Sequence, residues 1–219
     1  MRVARRIQRL ERYLMLPDGT ASAWIVTFGA AGCLGLAYFL AARLGLALRP
    51  QPAHMAVFWP ASGIAAGVLI IAGRRAGLAV GVGVMAGSIA AIVLNGRGLL
   101  FSALLGSCNL GEAFLLSWLL SRWIVRPFAL RDLRGVVGFL AAALIAVTFT
   151  GIGGAAILAS SVRPYQVAWQ TWLPSHLVGI VVVAPLLIVL DQLRRQPPSR
   201  AETLAVSYTH LTLPTIYSV

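Results

Sequence analysis

The sequence predicts an all-α fold: a polytopic transmembrane bundle of six helices with both termini on the cytoplasmic side. Three observations predict it. Of the 219 residues, 59% are hydrophobic and 11% charged, whereas soluble domains carry about a quarter charged residues. Six apolar stretches fall at about 22–42, 56–72, 76–95, 99–121, 135–160 and 169–190. Each reaches or approaches the roughly 20 residues a helix needs to cross about 30 Å of hydrocarbon. The basic residues, all arginine, sit in the turns between these stretches.

Arginine placement gives the orientation. Fourteen arginines, among them Arg74, Arg75, Arg122, Arg194 and Arg195, fall in segments on the side of the N-terminus, and only Arg43, Arg49, Arg97 and Arg163 fall on the other. Cytoplasmic loops of membrane proteins are the arginine-rich ones. The net charge of +12 does not indicate a nucleic-acid partner, because such proteins gather their charge on one face. Here arginine marks the ends of spans, so the partner it predicts is the lipid bilayer.

Residues 1–20 form a basic cytoplasmic lead-in, with Leu10, Tyr13, Leu14 and Leu16 among the arginines, suited to lie along the membrane surface. The first span follows it without a small-residue cleavage site and is too long for a signal peptide, so it reads as a retained signal anchor. The loop 43–55 carries Pro50, Pro52 and His54, and the next two turns are short, which makes spans two and three, and three and four, antiparallel neighbours. Trp59-Pro60 opens the second span. Gly63 and Gly67 follow there, Gly77, Gly81, Gly83 and Gly87 in the third, and Gly151, Gly153 and Gly154 in the fifth. Small residues four apart let helix backbones approach closely in lipid. Asp132 precedes the fifth span, where it either caps the helix or pairs locally. Cys33 and Cys108 lie within spans as small packing residues, without metal-ligand spacing. The domain is read as 21–206. The last thirteen residues, 207–219, contain no Arg, Ala or Gly and are set aside as a non-native tail, so that the natural chain is expected to continue beyond Val206.

One acid, Glu112, lies deep in a span. It is about 20 Å of helix rise from Leu99, and a carboxylate at that depth needs a partner, water or a proton. Asn109 shares its face. Two readings stay open: a ligand or proton site, or a hydrogen-bonding staple between helices. His176 stands about 10 Å below Trp169 in the sixth span. By that arithmetic it is offset from Glu112 by about 10 Å along the membrane normal, so direct pairing is not expected. Trp59 and Trp172 belong either to an interfacial aromatic belt or to an outward-facing pocket, which His176 would also line and could make pH-sensitive. No nucleophile elbow, zinc motif, phosphate loop or carboxylate pair is present. The expectation is therefore no enzyme, no metal and no cofactor.

Phe58-Trp59-Pro60-Ala61-Ser62-Gly63-Ile64-Ala65, then Asn109-Leu110-Gly111-Glu112-Ala113, then Trp172-Leu173-Pro174-Ser175-His176-Leu177-Val178-Gly179 with Ala184-Pro185-Leu186 occur in that order. Together they resemble the bacterial membrane-associated sensor domain of the MASE type, first class, over about 22–206. Pro60, Gly63, Gly67, Gly179 and Pro185 are read as structural motif residues, and the residues themselves make Glu112 and Asn109 the core candidates for signal sensing, with Trp59, Trp172 and His176 lining the outer approach. The resemblance implies an inner-membrane sensory input module for an unknown small-molecule or physical signal. Histidine kinase, diguanylate cyclase or cyclic-di-GMP phosphodiesterase outputs would follow it, with homodimerisation through the output domain. The family is usually acidic where His176 stands and has about eight or more spans, which matches a chain cut short. The rival expectation is a small secondary transporter, which would show inverted-repeat symmetry; none is evident between the two halves.

Overall fold

The computed structural model describes residues 21–48, 57–124, 132–160 and 164–195. The basic lead-in, His54 and the set-aside tail lie outside the described residues. Within them the fold is six α-helices and one 3-10 turn: α1 Ala21–Ala47, α2 Pro60–Ala72, the turn Gly73–Ala76, α3 Gly77–Val93, α4 Leu99–Trp123, α5 Leu133–Ala159 and α6 Tyr165–Arg195. Each expected span is a helix. Four of them, α1, α4, α5 and α6, are long and apolar enough to cross a membrane, while α2 and α3, at 13 and 17 residues, are shorter.

Local chemistry sets the boundaries. Pro60 occupies the first turn of α2, where its missing N–H removes no intrahelical bond and its fixed φ suits the helix. Gly73 ends α2 at φ 69° and Gly96 turns the chain between α3 and α4 at φ 83°, a left-handed conformation that glycine adopts without a Cβ clash. Of its two expected roles Asp132 takes the cap of α5, its Oδ1 accepting from the Gly135 N–H at 2.8 Å. Pro174 and Pro185 both lie inside α6, which runs through them unbroken.

α2 is the hub. Eight of its 13 residues are buried, and it packs against α1, α4 and α6, while α1–α3, α3–α4, α4–α5 and α5–α6 are neighbours around it. Two apolar clusters result, one mainly from α1, α2 and α3 around Tyr38, Leu69 and Val84, the other mainly from α4, α5 and α6 around Leu116, Phe139 and Ile180. Glycines close two seams. On α3, a Cβ at Gly83 would meet the Ala31 carbonyl of α1 at 2.7 Å, and one at Gly87 the Gly35 carbonyl at 2.5 Å. On α2, Gly63 and Gly67 face Gly179, Ala184 and Leu187 of α6. Gly81 meets nothing within 4 Å, so its spacing from Gly77 serves no contact among the described residues.

Candidate functional site

The start of α2 is tied to the middle of α6 by main chain. The Trp59 N–H donates to the Ser175 carbonyl at 3.0 Å. A Cβ at Gly179 would strike the Trp59 carbonyl, and a Cβ at Gly63 would strike the Gly179 carbonyl. Only glycine at both positions lets the two backbones come this close. The joint brings Ser62, one turn into α2, against His176, one residue past the bonded carbonyl.

His176 is the centre of the site. Its Nδ1 lies 3.0 Å from Glu112 Oε2 and 3.1 Å from Oε1 on α4. Ser62 Oγ is 3.0 Å from the same nitrogen. Glu112 and His176 are 1% and 4% exposed, which makes this a buried pair and not a surface bridge. Trp59 and Trp172 flank the imidazole with nearly parallel ring planes, at 5.9 and 4.1 Å between centroids. Trp172 lies flat over Gly151 and Gly154 of α5, while Trp59 lies beneath Gly45 of α1; side chains at those positions would displace the indoles.

The pairing of Glu112 with His176 corrects the sequence expectation. That estimate started the sixth helix at Trp169, whereas α6 begins at Tyr165. His176 is therefore eleven residues into α6, about 17 Å of rise against about 20 Å for Glu112, and the offset shrinks to about 3 Å. The two side chains reach across that easily.

Around this pair every helix supplies at least one polar side chain. Thr150 of α5 lies 3.3 Å from Glu112 Oε2, although its hydroxyl bonds Ala146 O more closely at 2.8 Å. Asn109 shares the buried face of α4 but turns the other way, its Nδ2 donating to Ser88 Oγ of α3 at 3.1 Å. Tyr38 of α1 is fully buried and stands close to Trp59, Ser88 and the Glu112 carboxylate. Among the described residues, the Tyr38 hydroxyl, the Trp59 and Trp172 indole N–H groups and Asn109 Oδ1 have no hydrogen-bond partner. The five candidate residues thus form two linked subsets: Glu112, His176, Trp59 and Trp172 in direct contact, and Asn109 one turn away. Ser62, Ser88, Thr150 and Tyr38 were not singled out from sequence. Ser62 carried a signal, since it lies within the Trp59–Gly63 motif; a serine or tyrosine in an apolar helix is otherwise too common to stand out.

By residue type, Ser62, His176 and Glu112 could be a hydrolytic triad, yet their geometry differs from one. In a triad the serine and the acid use opposite nitrogens of the ring, whereas here both contact Nδ1. The carboxylate competes with the serine for one position instead of orienting the ring towards it. Among the described residues no group of three His, Cys, Asp or Glu side chains comes together to hold a metal ion.

The MASE1 family model matches residues 30–216. The chain belongs to the MASE1 family. MASE1 domains are membrane-associated sensor domains, so the apolar surface of this bundle is that of a membrane protein, and the matched region contains every residue of the site. The match also takes in residues 207–216, which the sequence reading set aside. No curated protein and no solved structure matches the chain.

Proposed function

We propose that this MASE1 domain is the integral-membrane sensory input module of a bacterial signalling protein. In this reading it is a multi-pass inner-membrane protein with both ends in the cytoplasm, and the signal acts on the Glu112–His176 junction. The observation that supports it is the placement of the pair. It joins α4 to α6 where α6 is also bonded to α2, so anything that alters the pair alters how three helices meet. α6 then carries the change towards the downstream output, a histidine kinase, diguanylate cyclase or cyclic-di-GMP phosphodiesterase that pairs two copies. The domain itself performs no catalysis.

The test is Glu112→Gln in the protein joined to its own downstream sequence. Output that no longer follows the signal, at normal membrane abundance, supports the reading; output unchanged from wild type overturns it. Substrate flux in proteoliposomes of the same chain would favour the transporter instead.

A further inference from the structure

We propose that the ligand of this site is a proton: Glu112 and His176 hold one dissociable proton between them, and a change in its number releases α6 from α4. The inference rests on reading the cluster as the signal site and names what that site takes.

The geometry supplies the argument. Nδ1 has room for one hydrogen or one lone pair, yet three oxygens lie within 3.1 Å of it. The pair is uncharged overall when a single proton is shared, either as imidazolium with carboxylate or as imidazole with carboxylic acid. Removing that proton to water leaves a lone buried carboxylate, and adding a second leaves a lone buried cation. Each places an unpaired charge in a low-dielectric interior, at a cost of several kcal/mol. The closed geometry and a proton count of one therefore require each other.

Among the described residues, the surroundings contain no substitute charge. Facing the pair are Tyr38 from α1, Ser62 and Trp59 from α2, Ser88 from α3, Cys108 and Asn109 from α4, Thr150 from α5 and Ser175 and Trp172 from α6. None of these is a cation, and the flanking indoles attract an imidazolium through their π-faces. The pair also sits at the top of the central helix: Ser62 is only two residues past the Pro60 that begins α2.

The test uses the chain in lipid nanodiscs, with tryptophan emission followed across the whole pH range in which the bundle stays folded. A protonated imidazole quenches an indole stacked on it, so Trp59 and Trp172 report on His176, while the other four of the six tryptophans give a baseline. The expected result is a reversible transition in wild type, absent from His176→Gln and displaced in Glu112→Gln. Ser62→Ala keeps both titrating groups and should displace the transition without abolishing it, which guards against loss through misfolding of the other variants. Emission with the same pH dependence in wild type and His176→Gln overturns the proposal. An output that responds to Glu112→Gln without any His176-dependent titration would also overturn the proton as ligand, while leaving the signal site in place.

Discussion

Two helix pairs in this bundle close on glycines, and they differ in what the closeness achieves. Between α1 and α3, Gly35, Gly83 and Gly87 bring backbones together, and the gain is dispersion between well-fitted surfaces. Between α2 and α6, Gly63 and Gly179 do the same, but a main-chain hydrogen bond crosses the seam, and His176 is delivered to Ser62 and Glu112 beside it. Glycine spacing therefore marks where helices approach. The polar neighbours decide whether the approach is only packing or also a site.

The difference can be broken from the polar side first. Glu112→Ala strands His176 in the interior and should cost about 3–5 kcal/mol, read as a lowered unfolding midpoint in detergent or nanodiscs. Next comes Gly179→Ala, whose new methyl meets the Trp59 carbonyl; overpacking of this kind costs about 1–3 kcal/mol. Gly87→Ala, pressing on the Gly35 carbonyl at 2.5 Å, should destabilise to a similar degree. Of the two glycine changes, only Gly179→Ala should also disturb signal-dependent output, and equal loss of output in both would remove the distinction between the seams. Ser88→Ala leaves Asn109 Nδ2 without its acceptor; a hydrogen bond between membrane helices is worth about 0.6 kcal/mol, so a small drop in midpoint with normal output is expected. The smallest effect belongs to Arg195→Ala, which removes an exposed pair with Asp191 at 2.7 Å. About 0.3–0.5 kcal/mol at low salt, vanishing at high salt, is the expected loss.

Much of this was legible in the sequence, for physical reasons. Apolar runs bounded by arginine located all six helices, because burial in lipid demands the same composition on every face of a span. Glu112 stood out because a charge inside a bilayer is costly enough to be rare. What sequence did not yield was the pairing of Glu112 with His176. Rise along one helix is well defined, but comparing depths between helices needs their starting points, and four residues of α6 before Trp169 were enough to change the answer. The brevity of α2 was hidden for a related reason: Ala56, Val57, Phe58 and Trp59 extend its apolar run backwards, while Pro60 sets where the helix begins. Tyr38 and Thr150 join the site only through tertiary contact, and no local pattern distinguishes them.

The bond from the Trp59 N–H to the Ser175 carbonyl has one more consequence. It is made by backbone on both sides, so among the twenty amino acids only proline at position 59 could delete it directly. Provided Gly63 and Gly179 are kept, other side chains around it can vary, and the residues that choose the stimulus can be exchanged one at a time without deleting the bond they act beside. A joint of that kind suits inheritance: a lineage can retune what it detects while keeping the part that moves.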